Sequence, residues 1–164
     1  MAGYCASGCR IRFSIGRVSV VCCLLSVSVS GFAFAAQPSV EYALGLKPKQ
    51  FVNYDIPDEQ EAKAATLLME KANGMTSWVV RSAQGILLRR FADTNSDRVV
   101  DQWSYCKDGL EVYRDIDTDH NTNPDQCRWF GVAGSRWGID ANEDGSIDEW
   151  KVLSAEEATA EIVR

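Results

Sequence analysis

One nine-residue acidic pattern occurs three times in this chain, and it constrains the fold more than any other feature. Asp93, Asn95, Asp97 and Asp101 occupy positions 1, 3, 5 and 9 of the first copy. Asp117, Asp119, Asn121 and Asp125 repeat them, and so do Asp140, Asn142, Asp144 and Asp148. The copies start 24 and 23 residues apart, and each runs into alternating large residues: Trp103 and Tyr105, Cys127 and Trp129, Trp150 and Val152. A fixed period of this length marks an internal repeat, and alternation at period two marks strands. Between copies lie the tight turns Lys107-Asp108-Gly109 and Ala133-Gly134-Ser135. The pattern therefore predicts a mainly β protein, an antiparallel β-meander of about seven or eight short strands. All acidic loops fall at one end of the sheet and the small turns at the other.

Upstream, Thr76–Arg81 and Ile86–Ala92 flank Ser82-Ala83-Gln84-Gly85 as the arms of a hairpin. The stretch 58–71 supports two readings. Asp58 with Glu61 three residues on, good helix formers and Gly74 favour a helix, whereas Thr66–Lys71 also reads as a first strand. Residues 37–57, punctuated by Pro38, Pro48 and Pro57, read as an extended leader. Residues 1–36 differ from the rest: Arg10, Arg12 and Arg17 with no acid, the apolar run 18–29, then Ala33-Phe34-Ala35. That is the layout of a secretory signal peptide, and its apolar run is too short for a good membrane span. The expected organisation is thus a signal peptide at 1–36, the leader at 37–57 and a β-repeat domain at 58–153, with loop-strand units at 93–105, 117–129 and 140–152. A short C-terminal helix at 154–164 follows, started by the capping spacing of Ser154-Ala155-Glu156-Glu157.

The whole chain carries a net charge of −6. Taking away the three signal-peptide arginines from seventeen basic residues leaves fourteen against twenty-three acidic ones, a net −9. An acidic chain of this kind is not built to bind nucleic acid. Four of six cysteines lie in the expected signal peptide; strand parity puts the other two, Cys106 and Cys127, on opposite faces, so they are expected to be free.

The repeat suits a hard cation. Calcium takes six to eight oxygen ligands, which a short loop supplies from alternate side chains and a main-chain carbonyl. Positions 1, 3, 5 and 9 give the side-chain oxygens, and Val99, Asn123 and Ser146 at position 7 give the carbonyls. Closely spaced carboxylates otherwise repel. The competing explanation is purely structural, since Asx side chains bond their own backbone and favour turns. Position 6 needs a residue tolerant of positive φ and carries Arg98, Thr122 and Gly145, which ranks the third loop first, the first second and the second last. A shifted frame beginning at Asp115 is also open in the second loop.

The loops resemble the EF-hand at positions 1, 3, 5 and 9, but position 12 is Ser104, Arg128 or Lys151 in place of a bidentate Glu, and the flanks are strands. They are closer to the strand-loop-strand calcium loops of FG-GAP (integrin α-type) repeats. Over roughly residues 41–163, the stretches R-R-F-A-D-T-N-S-D-R-V-V-D-Q-W-S-Y-C-K-D-G and G-S-R-W-G-I-D-A-N-E-D-G-S-I-D-E-W-K also resemble a family of secreted planctomycete proteins. That resemblance implies export, EF-hand-like loops, no established activity, and a strand near 66–71. The chain departs from that pattern at Arg98, Thr122, Cys106 and Cys127.

Trp103, Tyr105, Trp129 and Trp150 should line one sheet face, as core or as a sugar-binding platform, with an exposed Trp137 the first suspect for sugar. Neighbouring strand residues point apart, so Arg128-Trp129 and Arg136-Trp137 should not stack within the dipeptide. His120 reads as a solvated loop position. No G-x-S-x-G, H-E-x-x-H, P-loop or C-x-x-C motif occurs. The sequence thus points to an exported, non-catalytic, calcium-binding structural or adhesion module. Its partners would be calcium and a cell-envelope protein or polysaccharide; the alternative is a carbohydrate- or protein-binding module working through its aromatic face.

Overall fold

The computed structural model describes residues 38–157; the expected signal peptide and residues 158–164 of the expected C-terminal helix lie outside them. Eight strands form one antiparallel sheet in sequence order, the expected meander. They are β1 (Thr66–Ala72), β2 (Met75–Arg81), β3 (Leu87–Asp93), β4 (Gln102–Lys107), β5 (Leu110–Ile116), β6 (Gln126–Gly131), β7 (Gly134–Ile139) and β8 (Glu149–Ser154). Three acidic loops and the Asn73-Gly74 turn share one end of the sheet, and the turns after β2, β4 and β6 share the other. Asn73, Asp108, Gly74 and Gly109 all take positive φ, which is what such short reversals demand.

Both readings of 58–71 hold, each for half the segment. Helix α2 (Glu59–Ala64) is started by a reciprocal capping box between Asp58 and Glu61, and it ends before the branched, apolar Thr66-Leu67-Leu68 enters the sheet. The leader at 37–57 is more than extended chain. Ser39 caps a short helix α1 (Val40–Gly45), and residues 46–57 then cross the sheet as a strap. At the other terminus a helical turn begins after Ser154, whose hydroxyl accepts from Glu157 N–H while the Glu157 carboxylate accepts from Ser154 N–H. Among the described residues no helix is long and apolar enough to cross a membrane.

The register separates two faces. One row runs Val80, Arg89, Tyr105, Tyr113, Trp129, Arg136, Val152 across β2 to β8; its neighbour runs Trp78, Phe91, Trp103, Asp115, Cys127, Gly138, Trp150. Both rows face the strap. Leu67, Trp78, Val80, Leu88, Phe91 and Val100 pack with Ala43 of α1, and Tyr105, Tyr113 and Cys127 pack with Val52 and Tyr54 of the strap. Rings follow one another edge to face, Tyr54–Tyr105 at 5.3 Å and Tyr113–Trp129 at 5.2 Å between centroids. Asp55 alone makes three of the strap's polar attachments. Asp55 N–H donates to Cys106 O at 2.9 Å, its carboxylate accepts from Asp108 N–H at 2.7 Å, and its carbonyl accepts from Arg89 at 2.7 Å. The Arg89 guanidinium, fully buried, lies 4.4 Å over the Tyr54 ring.

The aromatic row expected on one face is therefore present, and it is mostly core. Trp103 and Trp129 are half-buried, and Trp150 stays 49% exposed at the sheet edge. Trp137 is not the exposed ring the sequence suggested. It is buried on the opposite face because its cross-strand partner Arg128 stacks over it at 3.6 Å and its Nε1–H is taken by Ser135. Arg136 likewise stacks on Trp129 and Trp150 at 4.7 and 4.5 Å. The cation-π pairs are thus cross-strand, as strand parity requires. Cys106 and Cys127 are both free and buried, and burial pushes each thiol up to about 11.

Candidate functional site

The three acidic loops share a frame of four hydrogen bonds. In each, the position-1 carboxylate accepts from the N–H of position 6: Asp93 from Arg98 at 3.0 Å, Asp117 from Thr122 at 2.7 Å, Asp140 from Gly145 at 2.9 Å. The position-3 side-chain oxygen takes the N–H of position 5, in Asn95–Asp97, Asp119–Asn121 and Asn142–Asp144. Position 5 takes the N–H of position 7, in Asp97–Val99, Asn121–Asn123 and Asp144–Ser146. Position 9 reaches back to the N–H of position 2, from Asp101 to Thr94, Asp125 to Thr118 and Asp148 to Ala141. Position 6 has φ of 76°, 80° and 91° in turn, as the spacing demanded, even though only Gly145 adopts it without cost.

All fifteen candidate residues therefore lie in loops of one conformation, grouped in three sets of five: 93–101, 117–125 and 140–148. The position-1 carboxylates are all buried, while position 9 grades from buried Asp101 through half-buried Asp125 to exposed Asp148. Among the described residues no three His, Cys, Asp or Glu side chains converge as a ready-made metal cluster. The bonds above give the reason, because the side-chain oxygens are turned onto the loop's own N–H groups. An ionised carboxylate has about four lone-pair positions, so one that accepts two N–H bonds keeps others for a cation. The donor set is all oxygen, the chemistry calcium selects. In this frame Val99, Asn123 and Ser146 bind through their N–H groups to position 5, and Asn123 also holds Lys49 through its side chain.

The local electrostatics follow from those bonds. The amide of Asn95 and the N–H of Val99 hold the Asp97 carboxyl below its ordinary range, and the Ser146 N–H does the same for Asp144. Burial raises Asp117 against its hydrogen bonds from Thr122 and Asn121.

A second set of contacts was not read from the sequence. Position 4, also at positive φ in every copy, reaches back to the preceding reversal. Ser96 Oγ donates to Gly74 O at 2.8 Å, His120 Nδ1 lies 3.2 Å from Asp101 Oδ1, and the Glu143 carboxylate accepts from the side-chain amides of Asn121 and Asn123. His120 is thus tied to the first loop, and the Asp101 carboxylate raises its pKa. Main-chain bonds reinforce the stack: Asp117 N–H donates to Asp101 O and Asp140 N–H to Asp125 O, both at 2.8 Å. The cue was available in principle, since Ser, His and Glu at position 4 are all polar, but their differing chemistry hides the common role.

The strap also reaches the loops. Lys49 Nζ donates to Asn123 Oδ1 at 2.9 Å and to Pro124 O at 2.5 Å, and Gln50 donates to Gly145 O at 3.5 Å. Beneath them Asp115 is buried, accepting from Tyr113 Oη at 2.5 Å and Lys49 N–H at 3.0 Å. Burial drives its pKa up to about 6 despite those two bonds. Asp115 thereby belongs to the core and its strap, and Asp117 opens the loop, which removes the shifted frame. No family model matches the chain, nor does any curated protein or solved structure.

Proposed function

We propose that the chain is an exported, non-catalytic structural or adhesion module of the cell envelope, in which calcium stiffens the three stacked loops. The observation that carries this reading is the threefold identity of the loop frame, which survives Arg98 and Thr122 at a position where their φ is costly. In each loop Asp or Asn oxygens at positions 1, 3, 5 and 9 would hold the ion, with the position-7 carbonyl. Calcium would supply charge neutralisation for the acids, and affinity without a bidentate Glu would fall in the weak ~10⁻⁴ to 10⁻³ M range of extracellular modules. Lys49 already brings a positive charge onto the second loop, which keeps it last in rank, and Gly145 keeps the third first.

The test is thermal unfolding of the mature chain in calcium and in EGTA. Calcium at ten times its dissociation constant should add about 1.4 kcal/mol by linkage, and Asp144→Asn should remove most of the gain from the third loop. An identical midpoint in millimolar calcium and in EGTA would sink the reading.

A further inference from the structure

The face of the sheet away from the strap carries a row of cations. Val79, Arg90, Ser104, Arg114, Arg128, Trp137 and Lys151 are successive cross-strand partners from β2 to β8, and no acid stands among them. The parallel row, Ser77, Ala92, Gln102, Ile116, Gln126, Ile139, holds hydroxyl and amide groups and meets acids only on the two edge strands, at Glu70 and Glu149. Between and beside these rows lies a cleft of about 410 Å³, lined among others by Arg90, Arg114, Arg128, Gln102, Ser104 and Phe130.

Arg114 and Arg128 sit directly opposite each other, an arrangement that destabilises an antiparallel pair. The fold offsets part of that cost. Glu111 takes Arg114 in a two-point ion pair at 2.7 and 2.8 Å, Gln126 accepts from Arg128, and Trp137 stacks beneath it. Nothing comparable serves Arg90: its buried Nε–H, like that of Arg89 on the other face, finds no acceptor among the described residues, and unlike Arg89 it borders the cleft. A buried donor left open is expensive, and a chain with net charge −6 has acids to spare for it. Three arginines against the single acid Glu111 leave the cleft positive, which fits an outside anion.

We propose that this face binds an anionic saccharide chain lying across the strands, its carboxylate or sulfate groups on the guanidinium groups of Arg90 and Arg114. Guanidinium forks match such groups at two points; on Arg114 one edge is taken by Glu111, and the other edge is the one offered to the ligand. Strands stand ~4.8 Å apart, so Arg90 and Arg114 are separated by roughly 10 Å and Arg114 and Arg128 by roughly 5 Å, a spacing that suits charge repeated along a polymer. Ser77, Ser104 and Gln102 offer partners for sugar hydroxyls. A peptide adding to a sheet pairs with an edge strand, and this cleft lies over the paired interior strands β2 to β7. The proposal is independent of calcium at the loops.

The test titrates the full chain with oligogalacturonate, chondroitin sulfate oligosaccharides, neutral dextran and poly-glutamate by calorimetry. EGTA is present throughout, so calcium bridging through the loops contributes nothing. At low salt one or both acidic saccharides should bind, weaken as salt rises, and lose about tenfold or more in affinity in Arg90→Gln. Arg90→Lys, which keeps the charge and loses the fork, should also weaken binding and covers the case of a glutamine variant that folds poorly. Preference for galacturonate or for sulfate identifies the group recognised. No binding at low salt, dextran or poly-glutamate binding as tightly, or unchanged affinity in both variants overturns the proposal.

Discussion

Arg89 and Arg90 are adjacent in β3, and the two faces of the sheet treat them in opposite ways. Arg89 points to the strap, where Tyr54 and Tyr105 lie at 4.4 and 5.4 Å from its guanidinium and the carbonyls of Leu88 and Asp55 accept from it at 2.6 and 2.7 Å. Removal from water lowers its pKa. Arg90 points into the open cleft beside two further arginines, with a buried Nε–H that has no protein acceptor among the described residues. The Nε–H of Arg89 is unmatched as well, so what separates the two is the terminal nitrogens: those of Arg89 hold main-chain carbonyls, whereas Arg90 faces a cleft.

That contrast can be broken in four places. The largest effect should come from Arg89→Ala, which empties the space between two tyrosines and frees the Asp55 carbonyl; urea unfolding should show a loss of about 3 to 4 kcal/mol. A loss under about 1 kcal/mol would mean that the strap is held elsewhere. Next is Asp115→Asn. With Asp115 raised to about 6, the folded protein holds a proton that the unfolded chain has already released between roughly pH 4 and 6. Its contribution to stability is therefore present below that window and falls as pH rises through it, by on the order of 2 to 3 kcal/mol. The loop carboxylates Asp97 and Asp144 are lowered and act in the opposite sense, strengthening the fold as pH rises above their folded values. Midpoints of both proteins at pH 4 and 7 separate the two, and the asparagine variant should lose only the first component.

Gly138→Ala should cost about 1 to 3 kcal/mol by overpacking, because the new methyl would stand 2.9 Å from Ile147 Cδ1 and 3.0 Å from Cys127 Sγ. Denaturation midpoints measure it, and a neutral result would show slack under the third loop. Smallest is Arg90→Gln, expected within about 0.5 kcal/mol of the parent. A cost comparable to that of Arg89→Ala would make the open face structural and erase the contrast.

The meander, the loop ends and the aromatic row were legible because each rests on a short local period: two for strands, nine for the loops, and 24 then 23 for their recurrence. Position 6 was legible for the same reason, since its φ follows from spacing alone. The strap was not, because Lys49, Gln50 and Asp55 find partners 34 to 95 residues away, and no local pattern in 46–57 announces them. Trp137 was misjudged because its cover, Arg128, comes from the neighbouring strand, and only the β6–β7 register brings it there. The cation row has the same origin, since Arg90, Arg114 and Arg128 are unremarkable until the register aligns them.

The backward reach of position 4 gives the stack a direction. Each loop grips the reversal before it, from Ser96 to the first turn, from His120 to loop 93–101 and from Glu143 to loop 117–125. Damage should therefore travel unequally: a lesion in an early loop loosens the grip of its successor, whereas a change at 140–148 leaves the earlier two seated. The same asymmetry is a rule for lengthening the protein. A further strand-loop unit added beyond β8 needs only one polar residue at its own fourth position, and nothing already built has to be redesigned to receive it.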